Sequence, residues 1–426
     1  MKLEDIQEYC SFHNKLFCYG AGLYGRIIRS YLSDNDIEIS SYVVSENTGN
    51  KRTVLGIPII TVDEYSRISD ESTGLIVSVS EKYQKEVMDM LRERSITNAL
   101  RIDDILLQEI EKKCEYKNRY SCSSNIAVFC YHRIADLPMD TWRLAVRPNL
   151  FEKQVEYIKD NYVLLRSEED WGRSEGKPAA VITFDDGYED MYSNMLPILE
   201  KHNVPATVFV CTGNLDTENE FWWDEMERVV CLSERKQYEI QIDGETHVIT
   251  SGLDREKTCY EIHPYLKKMD HAERQGLLKE WDYESEKSIR RDYCHSMTKK
   301  QLLELSKSPL ITIGGHTVTH SCLACETKEQ QEWEIRKSKR DVEEIIGKEI
   351  EVFSYPFGQK DDFTKDTIEI AERAGYKRIF AAHIGLTNSR FVNGFIPRIN
   401  IGQETDYEKS IHLLRKYETI LGDDYV

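Results

Sequence analysis

The sequence predicts an α/β protein of two domains. Short apolar runs rich in β-branched residues alternate with amphipathic helical stretches along most of the chain. A glycine-rich turn joins the first such run to the first helix after it. A second series of alternating strands and helices begins after a small polar break at residues 121–125. The expectation is a Rossmann-like parallel-sheet domain over 1–112, a linker over 113–125, and a second parallel α/β domain over 126–426. An insertion at about 214–298 interrupts the second domain.

The 426 residues leave room for two or three domains. The net charge of -19 gives no electrostatic footprint for nucleic acid. The first residues are polar and acidic, without the apolar core of an export signal. No stretch approaches the ~20 apolar residues of a membrane span. The 11 cysteines are odd in number and scattered, which suits a reducing compartment better than a disulfide framework. Together these features predict a cytoplasmic protein; they leave its oligomeric state open.

Leu16-Phe17-Cys18-Tyr19 reads as a strand, followed at once by Gly20-Ala21-Gly22-Leu23-Tyr24-Gly25 and a helix. This is a G-x-G-x-x-G in the context that gives it meaning, because such a turn brings backbone N–H groups to a diphosphate at the helix N-terminus. Gly20, Gly22 and Gly25 are therefore candidate cofactor-binding residues. Residues 37–44 form the next strand, and Glu46 beyond it stands where a ribose-binding acid sits. A strand over residues 75–79 and a helix over 81–94 complete the pattern. The alternative is a small α/β domain that binds no nucleotide and serves docking. Residues 103–120 read as a charged connecting helix.

In the second domain a strand over residues 126–131 runs into His132. A helix over residues 151–161 follows. Ala179–Phe184 is then a buried strand that ends in Asp185-Asp186-Gly187. Strand C-terminal ends are where α/β folds build their sites. Two adjacent carboxylates repel one another, and a bound metal ion relieves one of them and leaves the other free as a base. Residues 204–210 form the next strand. The insertion opens with Phe221-Trp222-Trp223, tryptophans that either stack on sugar rings or build a core. Residues 238–249 alternate around Asp243-Gly244, a hairpin signature, and amphipathic helices follow. Past the insertion, His316-Thr317-Val318-Thr319-His320 succeeds another apolar run. Two histidines and one carboxylate form a metal set with open positions. Cys322 and Cys325 raise a rival, a structural His/Cys zinc site. A strand then ends at Ser354-Tyr355-Pro356-Phe357-Gly358.

The ordered triple Thr183-Phe184-Asp185-Asp186-Gly187, His316 to His320, and Ser354-Tyr355-Pro356-Phe357-Gly358 resembles the polysaccharide deacetylase (NodB-homology) family. The resemblance covers the chain from about residue 126 onward. It implies an irregular, incomplete (β/α) barrel and hydrolysis of an N-acetyl group from an amino sugar in a glycan or intracellular glycan precursor. It also implies a divalent metal, zinc first, on Asp186, His316 and His320, with Asp185 as the base. Some members are circularly permuted, with the catalytic histidine in a Tyr-His context on the first strand; this makes His132 the general acid. The Tyr355 backbone N–H is expected against the acyl oxygen. The arginine many members carry just upstream of this turn is missing here, and Arg398 is the candidate replacement. The N-terminal domain looks like the nucleotide-sugar-binding domains found beside sugar-modifying enzymes. The family's commoner members are exported, a departure from the cytoplasmic expectation. The rival readings are a degenerate carbohydrate-binding or scaffold module, an oxidoreductase built on the glycine motif, and a non-haem iron oxygenase.

Overall fold

The computed structural model describes residues 2–46, 53–54, 56–114, 125–171, 178–242, 244–283, 291–388, 395–402 and 416. Most of the expected linker, the Asp243 position of the expected hairpin turn and nearly all of 403–426 lie outside the described residues. The chain divides into two compact units, one built on Met1–Cys122 and the other on Ser123–Tyr407.

In the first unit, α1 (Leu3–Ser11) precedes a six-stranded sheet of order β3-β4-β2-β1-β5-β6. Its strands are β1 (Lys15–Tyr19), β2 (Ser41–Val44), β3 (Thr53–Val54), β4 (Ile57–Thr61), β5 (Thr73–Val77) and β6 (Ala99–Arg101). All pair in parallel except β3 with β4. Parallel pairing needs crossovers, supplied by α2 (Leu23–Asp34), α3 (Val62–Ile68) and α4 (Glu81–Glu93), with α5 (Asp104–Lys113) last. The strands read as continuous apolar runs because parallel sheets are covered on both faces; β5 is buried throughout. Helix α2 is buried at every residue from Gly25 to Ser33, with Ile27, Ile28, Tyr31 and Leu32 as apolar residues at helical spacing. Lys416 ion-pairs with Glu111 on α5.

The second unit begins with β7 (Asn125–Tyr131), the short pair β8 (Arg133–Ile134) and β9 (Ala145–Val146), α6 (Pro148–Asn161) and β10 (Val163–Leu164). Then come β11 (Ala179–Phe184), α7 (Leu196–His202) and β12 (Ala206–Val210). The insertion holds α8 (Trp222–Cys231), the hairpin β13 (Gln237–Ile242) and β14 (Glu245–Thr250), α9 (Arg255–Lys268) and α10 (His271–Tyr283). The main fold resumes with α11 (Lys299–Leu305), β15 (Ile311–Gly315), α12 (Lys328–Ile346), β16 (Val352–Ser354), α13 (Lys365–Arg373), β17 (Arg378–Phe380), β18 (Thr387–Asn388) and β19 (Ile399–Asn400).

The main sheet runs β17-β16-β15-β12-β11-β7, parallel throughout, with β18 added antiparallel to β7. It curls on itself. Ile396 bridges to Phe380 at the end of β17, and β19 pairs with β7. Residues 396–400 thus join the two edges into an irregular (β/α) barrel. The site depends on this closure, because Arg398 lies in the closing segment.

The insertion has a core of its own. Phe221, the N-cap of α8, and Trp222, Met226 and Val230 from α8 pack with Tyr238, Ile262, Leu266 and Trp281. Beneath it runs a buried ion network in which Arg291 reaches Glu220 and Glu227 and Arg228 pairs with Glu220. Buried charges of this kind persist only when paired. Among the described residues no helix is long and apolar enough to cross a membrane.

Candidate active site

Strand β11 is buried at every residue and ends in the carboxylates at the mouth of the barrel. The chain turns there through two left-handed residues, Asp186 at φ 79° and Gly187 at φ 90°. A non-glycine residue at positive φ costs on the order of 1 kcal/mol or more, so the surroundings must hold it. They do so by hydrogen bonds from Cys211 N–H to Asp186 O (3.0 Å) and from Gly187 N–H to Asp185 O (3.1 Å).

Strand β15 delivers His316, and a tight loop with Thr317 and His320 also at positive φ returns His320 to the same point. Glu334 on α12 clamps this loop. Its buried carboxylate accepts the Val318 and Thr319 N–H groups at 2.7 and 3.0 Å and the Thr319 hydroxyl at 2.5 Å. Helix α12 is itself well bounded. Thr327 accepts the Gln330 N–H at its start, and left-handed Gly347 ends it.

One donor atom each from Asp186, His316 and His320 lies within 4.8 Å of the others. Asp186 Oδ1 stands 3.5 Å from His316 Nε2 and 3.4 Å from His320 Nε2. His316 Nδ1–H donates to Ser354 O at 2.7 Å, which turns Nε2 toward the aspartates. Trp223 packs on the His320 ring at 4.4 Å between centroids. Its indole N–H donates to Tyr188 Oη (2.9 Å), whose hydroxyl donates to Asp224 (2.6 Å).

Asp185 is fixed from the other side. Arg398 Nη1 and Nη2 donate to its two carboxylate oxygens at 2.7 and 2.6 Å, and Ser354 Oγ donates at 3.2 Å. Burial alone would raise the Asp185 pKa; Arg398 and then His316 override it and hold the carboxyl well below the usual range. Burial also opposes ionisation of Asp186, but the two imidazoles hold its pKa low. Burial and the neighbouring His316 push His320 down to about 3. His316 moves up despite burial, because both aspartates draw positive charge onto it.

These residues fit a divalent cation. Asp186 Oδ1 is fully buried and no hydrogen bond reaches it. An anionic site with a bare carboxylate oxygen facing two imidazoles is complementary to a small cation. Cys322 and Cys325 lie close to each other, Sγ to Sγ 3.5 Å, but form no ligand group with the histidines among the described residues.

A cavity of about 220 Å³ opens over this cluster, with Asp185, Asp186, His316 and His320 in its lining. His132 is half-buried at the end of β7 and lines the same space; one donor atom each from His132, Cys130 and Asp185 lies within 4.8 Å of the others. Trp142, Leu144, Trp223, His263, Phe357 and Ala382 form the rest of the wall.

Tyr355 requires a correction. Its N–H donates to Phe380 O at 3.0 Å in the pairing of β16 with β17. Its ring is buried and stacked on Phe363 at 4.2 Å. The group expected at the acyl oxygen is committed to the sheet. Phe357, two residues on and at φ 60°, faces the cavity instead, and its N–H has no protein acceptor among the described residues. The sequence signal was available in Pro356, which has no N–H and so cannot continue the ladder past Tyr355. His263 was not singled out from the sequence, since one histidine in an amphipathic helix carries no signal.

The glycine turn belongs to the first unit. A Cβ on Gly25 would lie 1.9 Å from Gly20 O, so loop and helix approach as only glycine permits. Gly20 N–H donates to Val43 O at 2.9 Å, and Gly22 caps α2 with open space around its Cα. Glu46 is exposed just past β2.

Residues 172–379 match the family model described as polysaccharide deacetylase. A Staphylococcus aureus protein named poly-beta-1,6-N-acetyl-D-glucosamine N-deacetylase is 22% identical over 324 residues, covering 72% of this chain and 86% of that protein. A putative polysaccharide deacetylase of Bacillus subtilis is 21% identical over 260 residues, 60% of this chain and 63% of that protein. Among solved structures, a Streptococcus pyogenes deacetylase in complex with acetate is similar with a TM-score of 0.44 and 22% identity, covering 69% of this chain and 98% of that one.

Proposed function

The chain carries a polysaccharide deacetylase domain, and from that premise we propose that it hydrolyses the N-acetyl group of an amino sugar, releasing acetate and a free amine. The observation that carries the reading is the convergence of Asp186, His316 and His320 beside an Asp185 gripped by Arg398. The staphylococcal relatives' name supports an N-acetylglucosamine polymer, or its precursor, as the substrate class.

Asp186, His316 and His320 would hold a divalent cation, for which zinc suits two imidazoles and one carboxylate. When bound, it supplies Lewis acidity toward the acyl oxygen and a lowered pKa for water. Asp185 is kept ionised and oriented by Arg398, and it accepts the proton of the attacking water. The Phe357 N–H, which has no protein acceptor among the described residues, is the candidate donor to the developing oxyanion; a donor of this kind is worth ~10²–10³ in rate. His132 gives its proton to the departing nitrogen, so that one water is consumed and acetate and amine leave. Trp223 packs on His320 and keeps that side of the site dry.

The acidic composition and the scattered cysteines support a cytoplasmic glycan precursor as substrate. The glycine turn of the first unit, with Gly22 open at the start of α2, is proposed to take the diphosphate of a nucleotide sugar. Titrating the full chain with such nucleotides tests this; no binding at millimolar concentration removes it.

The deciding experiment is acetate release from N-acetylglucosamine oligomers, nucleotide sugars and a generic acetyl ester. The protein is stripped with a chelator and reloaded with zinc, cobalt or manganese, with Asp185→Asn as control. Release that is lost on stripping, returns on reloading and is abolished by Asp185→Asn is expected. Activity indifferent to chelation, or retained in Asp185→Asn, overturns the assignment.

A further inference from the structure

The insertion does more than cover the barrel. Helix α9 sends His263 into the cavity wall, and α8 sends Trp223. The His263 ring stacks on Trp222 (5.1 Å, 26°), lies tilted on Trp142 (5.1 Å) and meets Phe357 edge-on (5.9 Å). Aromatic rings hold it on three sides. No hydrogen bond to the His263 ring nitrogens occurs among the described residues, and the cavity is the open direction.

The ring is also firmly placed. One turn later on α9, Lys267 pairs with Asp362 at 2.5 Å and lies over the Phe357 ring at 4.4 Å. Pro264, inside the helix beside His263, cannot donate to the preceding turn and so interrupts the ladder at this point. Trp142 spends its indole N–H on Trp223 O (3.2 Å), which leaves an apolar face toward the cavity.

A half-buried polar ring without a protein partner, set among aromatic faces above a hydrolytic centre, is the arrangement that recognises a neutral, hydroxyl-bearing ring. We propose that His263, with the faces of Trp142 and Trp223, is the sugar-recognition subsite of this cavity, binding the pyranose ring of a single N-acetylhexosamine and hydrogen-bonding one of its hydroxyls. The proposal rests on the deacetylase reading and deepens it. Burial, then Lys267 and Arg274, push the His263 pKa down to about 4, so the ring is neutral near pH 7. A neutral imidazole offers one donor and one acceptor, as a hydroxyl does. The cavity of about 220 Å³ falls below the ~300 Å³ at which drug-sized sites begin, which suits one sugar unit rather than several. His263 is a specificity residue in this account and takes no part in proton transfer.

The test compares wild type, His263→Ala and His263→Gln on β-1,6- and β-1,4-linked N-acetylglucosamine tetramers and on 4-nitrophenyl acetate, which carries no sugar. Thermal unfolding of each variant checks the fold. Tetramer binding is titrated separately in the Asp185→Asn background by tryptophan fluorescence. Expected is a fall of about 10-fold in kcat/KM on a tetramer for His263→Ala, carried by KM, with His263→Gln in between and a clearly smaller loss on the ester. Tetramer affinity falls by the same factor. Equal losses on tetramer and ester, or no loss on either, overturn the proposal. Absence of acetate release from every probe by wild type defeats the deacetylase reading instead. The fluorescence titration then decides the subsite alone, since binding that His263→Ala does not weaken, or no binding of either tetramer, overturns it.

Discussion

Arg398 holds both carboxylate oxygens of Asp185 across 213 residues of chain, and neither side chain is more than slightly exposed. The contact exists because the segment that closes the barrel, residues 396–400, lies between β17 and β7. Barrel closure and placement of the base are one structural event.

Replacing Arg398 by methionine leaves a buried carboxylate without its partner. The expected cost in stability is about 3–5 kcal/mol by denaturant unfolding. Burial, the largest influence on Asp185, then pushes its pKa up, so the acidic limb of kcat/KM moves to higher pH. The rate falls by about 100-fold or more. Arg398→Lys keeps the charge but cannot bridge two oxygens, and it recovers only part of the loss. An acidic limb that stays in place in Arg398→Met would contradict this account of Asp185.

Tyr355→Phe is expected to be silent in activity. The Tyr355 hydroxyl is buried with no hydrogen-bond partner, and the backbone N–H it leaves untouched already serves Phe380 O. Removing an unsatisfied buried hydroxyl stabilises by roughly 1 kcal/mol. A drop in kcat with unchanged folding would return Tyr355 to the site.

The strand-end carboxylates and the paired histidines were legible in the sequence because their meaning is local. An apolar β run stops at Asp185-Asp186, another stops before His316, and each pattern spans only a few residues. The alternation of runs also carried the parallel α/β architecture. Other features depend on which strands pair, and no local pattern encodes that. The fate of the Tyr355 N–H is set by β17, and the reach of Arg398 is set by barrel closure. Choosing Arg398 from the sequence rested on an arginine missing elsewhere, with nothing near Ile396-Pro397-Arg398 to give its direction. Of the two roles weighed for the tryptophans of the insertion, the core role is the one observed: Trp222 and Trp223 are both buried in it, and Trp223 also lines the cavity. His263 became visible only once α9 was folded against Phe357.

Asp224 predicts a pH signature in stability. It is buried beside Tyr188 and the Trp223 backbone, and burial raises its pKa from 3.8 to about 7 against the pull of Arg133 and Arg291, with Glu227 adding to the rise. A raised carboxyl binds its proton more tightly in the folded state. Between about pH 4 and 7 the folded chain therefore holds more protons than the unfolded one, and this group's contribution falls as pH rises. The displacement corresponds to about 4 kcal/mol at most. Asp224→Asn keeps an acceptor for the Tyr188 hydroxyl and removes the titration. Unfolding free energies measured from pH 5 to 8 should decline less steeply in Asp224→Asn than in wild type. Parallel curves would mean that Asp224 is ionised throughout.

Among the described residues Glu334 bonds to the loop between His316 and His320 rather than to the proposed metal ligands, yet it should govern how well they bind. Its carboxylate takes the N–H groups of Val318 and Thr319 and the Thr319 hydroxyl, the three groups that shape the loop between His316 and His320. That loop contains two positive-φ residues, Thr317 and His320, so its conformation is held from outside rather than preferred. Glu334→Ala leaves two backbone N–H groups without a carboxylate and lets the loop relax away from the geometry that points His320 Nε2 at Asp186. Outer partners of this kind typically cost ~10–100-fold in metal affinity when removed. Competition against a chromophoric zinc chelator should show a loss of that size in Glu334→Ala. Glu334→Gln still accepts one N–H group and can pair with the Thr319 hydroxyl, so its loss should be smaller. The wild-type gain in melting temperature on adding zinc should shrink in the same order, because a ligand stabilises in proportion to how tightly it binds the folded state. Undiminished zinc affinity in Glu334→Ala would show that His320 is positioned without Glu334, by its packing on Trp223 and Phe357.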